Sequence, residues 1–399
     1  MLKLRRLLIC LAIALAGCST APRRTFLPTD LDLASGNPAA SGEYEPIPPA
    51  PRFAPPPATR PASHPAHART YADTWIPLIR WARENHSGSV AEISAQPTPA
   101  FSLTTSNGVF VFETGSSLAK WNGMELHLGF EPQLIDGQPF VHALDLEKNV
   151  EPLIHGLVLP SKPNPVIVID PGHGGSNTGT RSVLDGRFEK VFTLNLARRL
   201  APLLEREGWR VFLTRTNDTD VSLADRVAFA ERCGADLFVS LHFNAPGAGR
   251  SPSGVETYCL TPVGMHSSLT RGYDDDPLRA FPNNAFDGQN LEYAARLHRA
   301  VLSVNGDLDR GIGRARFLTV IRGQNCPAVL VEGGYLSDPD EARRISDPVY
   351  CEKLATALAD ALALKSAVRF TNAAAPAEVN GTNSIPDSST SAANHGPSL

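Results

Sequence analysis

Short apolar runs alternate with helix-like patterns over residues 163–368, and three of these runs lead into polar side chains. Continuous apolar runs of four or five residues are typical of buried parallel strands. In an open parallel sheet, ligand sites lie beyond the carboxyl ends of the strands, so we expect the three polar side chains to meet at one edge. The runs and the side chains that follow them are residues 166–169 before His173, residues 237–241 before His242 and residues 328–331 before Glu332.

The segments between and after these runs have the periodicity and the start signals of helices. Apolar residues recur at helical spacing over residues 191–204. Ser222, Asp338 and Asp347 stand where N-terminal caps are expected. The alternation of strand and helix predicts an α/β domain over residues 163–368, with a mainly parallel sheet and helices on both faces.

A second and smaller pattern occupies residues 70–155. A short amphipathic helix pattern is followed by apolar segments that are separated by Asn-Gly or Asp-Gly dipeptides, beginning at Asn107, Asn122 and Asp136. These dipeptides tolerate positive φ and mark tight hairpin turns. We therefore expect a small α+β accessory module before the larger domain.

The two ends of the chain lack the pattern of a folded core. Residues 1–18 start with basic residues, continue with a short apolar run and end at Cys18, which resembles the signal of a bacterial lipoprotein. Ser19 fits sorting to the outer membrane, so we expect a lipid anchor there and a body facing the periplasm. The alternative is an ordinary secretory signal with an incidental cysteine. Residues 19–69 read as a Pro-rich linker, and residues 369–399 as a disordered tail.

The composition narrows the classes of function. The 399 residues are 42% hydrophobic and 20% charged with a formal net charge of −4, so we expect a sizeable core and no nucleic-acid partner. Beyond the signal, the cysteines form no Cys-x-x-Cys pair, so a thiolate metal site is not expected. An exported compartment permits a disulfide, but the sequence selects no pair.

Two histidines and two glutamates form the candidate chemistry. His173, Glu189 and His242 supply two imidazoles and a carboxylate, a ligand set for a catalytic zinc ion that keeps one position for water. Glu332 is placed to take a proton from that water and return it to a leaving amine. The simpler alternative is that these are ordinary polar residues, with Glu189 an acid favoured by a helix N-terminus.

Six motifs follow one another between residues 165 and 364. They are Asp170-Pro171-Gly172-His173-Gly174-Gly175, Glu189-Lys190, Thr214-Arg215, Leu223-Ala224-Asp225-Arg226, residues 235–245 and residues 330–337. Together they resemble the zinc-dependent N-acetylmuramoyl-L-alanine amidases of cell-wall turnover. The resemblance implies Zn²⁺ on His173, Glu189 and His242, with Glu332 as catalytic acid/base. It also implies hydrolysis of the amide between N-acetylmuramic acid of peptidoglycan and L-alanine of the stem peptide.

Further expectations follow from the same resemblance. Arg226 and Asn244 lie within the motifs, and we expect them to contact the substrate. Asn177 stands where the family usually has Asp. Some relatives carry a self-inhibitory helix near residues 260–290, but the prolines and glycines in this stretch predict a substrate-facing loop instead.

The accessory module has a resemblance of its own. Residues 121–126 and 137–141 resemble the N-terminal domain of copper amine oxidase and related stalk modules. That resemblance brings no catalytic residue, so we interpret the module as a wall-binding or spacer unit.

The preferred function is thus a peptidoglycan hydrolase held at a membrane by an N-terminal lipid. One alternative is a non-catalytic, lipid-anchored peptidoglycan-binding protein, and another is a different zinc amide hydrolase acting on cell-wall peptides. The complete set of three ligands and Glu332 favours an enzyme, because a protein that only binds is expected to have lost some of them. The sequence identifies no protein activator.

Overall fold

The computed structural model describes residues 74–244, 253–270, 274–306 and 308–364. The predicted signal with Cys18, the Pro-rich linker and the predicted tail lie outside the described residues. Of the helices within these ranges, none combines the length and the apolar character needed to cross a membrane.

The N-terminal part of the described chain forms eight short strands and three short helices. The strands are β1 (Trp75–Pro77), β2 (Ser89–Ser94), β3 (Ala100–Thr104), β4 (Val109–Glu113), β5 (Leu118–Trp121), β6 (Met124–His127), β7 (Gln133–Ile135) and β8 (Gln138–His142). The helices are α1 (Leu78–Glu84), α2 (Ala143–Asp145) and α3 (Glu151–His155), with a π-helical turn Leu146–Val150 between the last two. The three predicted hairpin turns connect β3 to β4, β5 to β6 and β7 to β8.

The larger domain alternates strands and helices as the sequence predicts. Its strands are β9 (Val166–Pro171), β10 (Arg210–Leu213), β11 (Leu237–Asn244), β12 (Val255–Cys259), β13 (Asp309–Arg314) and β14 (Ala328–Tyr335). Its helices are α4 (Glu189–Arg206), α5 (Leu223–Cys233), α6 (Asp287–Asn305), α7 (Thr319–Arg322), α8 (Pro339–Ser346) and α9 (Pro348–Ala361), with a 3₁₀ helix Pro282–Phe286. Ser222, Asp338 and Asp347 accept backbone N–H groups at the starts of α5, α8 and α9, which confirms the predicted caps.

The central sheet confirms the predicted α/β fold. Within the described residues it has eleven strands in the order β10-β9-β11-β14-β12-β13-β6-β5-β4-β3-β2. The strands β10, β9, β11 and β14 are parallel to one another, whereas β12 is antiparallel to β14. The carboxyl ends of β9, β11 and β14 therefore share one edge of the sheet, which we call the site edge.

Helices cover both faces of the parallel strands. Ile167 and Ile169 of β9 pack in a core with residues of α4, α6 and α9. Val166 and Val168 point to the opposite face and pack with residues of α5 and α7. Burying each aliphatic side chain of this kind contributes roughly 1.5–3 kcal/mol, so the strand is fixed from both sides.

The accessory strands extend the sheet of the larger domain. Leu126 of β6 pairs with Ile312 of β13, and both side chains lie in the core that contains Ile167. Arg314 of β13 donates a hydrogen bond to Asn149 Oδ1 at 2.6 Å, and Asn149 donates to Asp145 at 2.7 Å. We call this contact region the joint. The proposed division at residues 155–163 stays a prediction, but the two parts share one sheet and one core.

The segment predicted to be a substrate-facing loop lies at the opposite edge. Because β12 is antiparallel to β14, the last residue of β12, Cys259, lies at the edge of the sheet remote from Glu332. Beyond it, Ser268 donates to the carbonyl of Arg314, and Asn283 donates to the carbonyl of Cys326 before β14. For the described residues 260–270 and 274–286 the substrate-facing prediction is therefore wrong, because strand direction rather than loop composition decides where a loop begins.

Candidate active site

His173 lies in the loop that follows β9 at the site edge. Its backbone has φ of +63°, which few residues other than glycine adopt. Its carbonyl accepts a hydrogen bond from Arg226 at 2.7 Å, and its Nδ1 lies 2.8 Å from Asn177 Oδ1. A hydrogen bond from Nδ1–H to Asn177 leaves Nε2 facing Glu189, which is the orientation that second contacts commonly impose on metal-binding histidines.

Glu189 is the first residue of α4 and lies between the two histidines. Its Oε2 is 3.0 Å from His173 Nε2, and its Oε1 is 2.9 Å from His242 Nδ1. The backbone N–H groups of Thr180 and Phe243 each donate to the carboxylate at 3.0 Å. The carboxylate is thus held in place by the chain on both sides, and the helix-start and ligand interpretations of Glu189 are compatible.

The three side chains form a donor set that fits a divalent cation. Their ligand atoms all lie within 4.8 Å of one another. Burial raises the pKa of Glu189, but hydrogen bonds from His173 and His242 outweigh it and hold that pKa well below its usual range. Burial lowers the pKa of His173, and Glu189 more than reverses this effect. A metal ion replaces protons at such a site, because imidazole and carboxylate ligands bind it in their deprotonated forms.

Two glycines allow the histidines and Glu189 to approach each other. A Cβ atom on Gly172 would lie 2.2 Å from the ring of His242. A Cβ on Gly179, which has φ of +67°, would lie 2.5 Å from Glu189 Oε2. Both contacts are far shorter than van der Waals separation, so the arrangement of these three side chains requires glycine at both positions.

Glu332 lies on the strand next to His242. It is the register partner of His242 across the parallel pair β11–β14, so both side chains lie at the same level of the site edge. The carboxylate is largely buried, with 8% of the residue exposed. A cleft of about 520 Å³ opens beside His173 and His242, and Asp220, Ser222 and Arg226 also line it; within the described residues Glu332 is not part of this lining.

The two expected substrate contacts both hold other residues of the site. Arg226 is buried and donates to the carbonyls of Pro171 and His173 and to the carboxylate of Asp170. Asn244 is buried and donates to Glu256 at 2.9 Å and to the Tyr335 hydroxyl at 3.1 Å. Direct contact of either side chain with a substrate stays a prediction.

Several residues that hold the loop of His173 in place were not predicted from the sequence. Arg215 is buried and donates to the carbonyls of Pro171 and Gly172, which fixes the loop that carries His173. Asp170 accepts hydrogen bonds from Thr214 and Ser240. Thr214-Arg215 belongs to the motifs that resemble the family. A Thr-Arg pair at the end of a strand does not by itself indicate which loop the arginine contacts.

Known proteins of one kind are similar to this chain. The family model described as N-acetylmuramoyl-L-alanine amidase matches residues 167–363. The N-acetylmuramoyl-L-alanine amidase AmiC of Escherichia coli is 32% identical over 239 residues, covering 54% of this chain and 56% of that protein. The N-acetylmuramoyl-L-alanine amidase CwlM of Bacillus licheniformis is 33% identical over 199 residues, covering 49% of this chain and 67% of that protein.

A solved structure of an N-acetylmuramoyl-L-alanine amidase from Clostridium difficile is 31% identical to this chain; the match covers 50% of this chain and 96% of that one, with a TM-score of 0.42. The chain spans about half the length of the AmiC relative, at 56%. The family match falls on the segment that contains His173, Glu189, His242 and Glu332. The chain belongs to the N-acetylmuramoyl-L-alanine amidase family.

Proposed function

We propose that this protein is a zinc-dependent hydrolase of peptidoglycan. It cleaves the amide bond between the lactyl group of N-acetylmuramic acid and the L-alanine of the stem peptide. The observation that carries the proposal is the cluster of His173, Glu189 and His242 at the site edge, with Glu332 on the adjacent strand. The family membership of the chain supplies the substrate class.

The residues of the site have separate tasks in this proposal. His173, Glu189 and His242 would hold the zinc ion. When bound, zinc polarises the scissile carbonyl and lowers the pKa of water. Glu332 accepts a proton from the attacking water and delivers it to the nitrogen of the leaving L-alanine. Asn177 and Arg226 hold His173 in its orientation through the ring and the backbone carbonyl.

Mass spectrometry of the products from purified peptidoglycan tests this function. We expect stem peptides with a free N-terminal L-alanine and glycan strands that keep their lactyl groups. Protein treated with a chelator is the control and should release nothing until zinc is restored. Binding without release would favour the non-catalytic alternative, and cleavage at another amide would favour a different hydrolase.

We propose further that the protein is anchored to the outer membrane through lipid on Cys18. The support is the sequence pattern of residues 1–19 and the Pro-rich linker that follows. Replacing Cys18 by Ser should release the protein from the membrane fraction or leave the signal uncleaved. Normal processing and unchanged membrane association of Cys18→Ser would contradict the proposal.

A further inference from the structure

A second glutamate, Glu256, lies next to Glu332 in the sheet. Glu256 of β12 is the register partner of Glu332 across the antiparallel pair β12–β14. Directly opposed residues of such a pair extend from the same face of the sheet. His242, Glu332 and Glu256 therefore form a row across three adjacent strands at one level of the site edge.

The carboxylate of Glu256 is buried and fully surrounded by donors. Its Oε1 accepts hydrogen bonds from Arg310 Nε at 2.5 Å and from the Tyr335 hydroxyl at 3.1 Å. Its Oε2 accepts from Asn244 Nδ2 at 2.9 Å and from the Tyr258 hydroxyl at 2.5 Å. Glu256 is 8% exposed, so these four protein contacts replace the water it would have on the surface.

A charged residue at this position needs an explanation, because like charges on directly opposed residues destabilise a sheet. Arg310 reduces that cost by pairing with Glu256. Burial raises the pKa of Glu256, but the hydrogen bonds from Tyr258 and Arg310 and the charge of Arg310 bring it below the ordinary value. Glu256 is therefore an ionised acceptor. A buried ion pair is by itself weak evidence for stability, so the role of Glu256 has to be judged from the residues that it contacts.

The hydrogen bonds of Glu256 join the ends of the two strands that carry His242 and Glu332. Asn244 lies two residues after His242, and Tyr335 lies three residues after Glu332. The register between β11 and β14 shifts here, so that Asn244 and Tyr335 are partners. Register shifts of this kind, of which β-bulges are an example, redirect side chains and are frequent beside active sites. Glu256 accepts a hydrogen bond from each of these partners.

We infer that Glu256 is a positioning residue, which fixes the ends of β11 and β14 and thereby the distance between Glu332 and the three-ligand cluster. The inference rests on the proposed function, because the distance matters only if Glu332 transfers a proton at that cluster. Small displacements of a catalytic group lower turnover by up to about 100-fold. Glu256 touches no reacting atom in this account and acts through Asn244 and Tyr335.

The test compares Glu256→Gln, Tyr335→Phe and the double variant with the parent. Asp145→Asn is the matched control, because it also neutralises a buried carboxylate but lies at the joint. For each full-length protein, kcat and KM are measured on soluble muropeptides, with the zinc content and Tm of the same samples. We expect Glu256→Gln to lower kcat by about 10–100-fold, with KM within about 3-fold and zinc retained. Asp145→Asn should keep kcat within about 2-fold of the parent, because the hydrogen-bond partners of Asp145 are Gly129, Phe130 and Asn149 at the joint.

The double variant separates positioning from general loss of stability. Tyr335→Phe should lower kcat less than Glu256→Gln, and the double variant should equal Glu256→Gln, because the hydroxyl acts through the same carboxylate. Losses that simply multiply, or a Glu256→Gln protein with parental kcat, would overturn the inference. If Glu256→Gln does not fold, a folded Tyr335→Phe with parental kcat also overturns it. A parent without turnover contradicts the proposed function itself, whereas an active parent with an unaffected Glu256→Gln contradicts this inference alone.

Discussion

Glu189 in the site and Asp145 in the joint are both buried, and each accepts two backbone hydrogen bonds, yet their pKa values move in opposite directions. Glu189 lies between the imidazoles of His173 and His242, which keep it ionised. Asp145 accepts from Gly129, Phe130 and the amide of Asn149, and burial raises its pKa to about 6. Burial alone therefore does not determine whether a carboxylate is ionised. The groups that contact the carboxylate determine it, and for Glu189 these groups are two imidazoles.

The largest loss of zinc and of turnover is expected when a histidine of the site is replaced. Replacing His173 by Ala removes one proposed zinc ligand and one hydrogen-bond partner of Glu189, so we expect loss of stoichiometric zinc and a loss of turnover larger than the roughly 10²-fold expected for a missing general acid/base. Elemental analysis and peptide release on the same samples measure both. The Asp145→Asn variant should keep zinc. Full zinc occupancy in both His173→Ala and His242→Ala would show that the cluster is not the metal site.

Asp145 at the joint should make the free energy of unfolding depend on pH, and it should not affect zinc binding. The pKa of Asp145 is raised from 3.8 to about 6 in the folded protein, so the folded state binds the proton more tightly than the unfolded state. The stability that protonation contributes is complete below pH 4 and is lost as the pH rises through 6. The difference is roughly 3 kcal/mol in the free energy of unfolding. Denaturant titrations of the parent and Asp145→Asn between pH 4 and 7 measure it, and parallel curves for the two proteins would refute it.

A smaller effect on zinc affinity is expected from adding a methyl group at a glycine of the site, and none from the same change at a glycine of the joint. Gly172→Ala places a Cβ against the ring of His242, so we expect zinc affinity to fall by about 10–100-fold, as for other residues that orient a ligand. Gly288→Ala is the control at the joint, since its Cβ would meet only Pro152 at 3.4 Å. Competition with a chromogenic chelator compares the two variants. Equal zinc affinities would mean that the loop moves away without cost.

The same two regions differ in how far the sequence predicted them. The site edge was predictable, because strand ends in a parallel sheet converge and His173, His242 and Glu332 each follow an apolar run. The joint was not predictable, because the pairing of β6 with β13 brings together segments almost 190 residues apart, and such a pairing produces no periodic pattern in the sequence. The network of Glu256 was also missed. Its partner Arg310 lies on a neighbouring strand, and the sequence does not order β12 and β13 beside β14.

The most direct test of the account is the turnover and zinc content of Glu332→Gln. The amide cannot accept the proton of the attacking water, so release of stem peptide from peptidoglycan should fall by at least about 10²-fold, with zinc and Tm unchanged. His173→Ala, measured beside it, should lose both zinc and turnover. A Glu332→Gln protein that holds zinc and cleaves at close to the parental rate would contradict the assignment of Glu332 as the proton-transfer group.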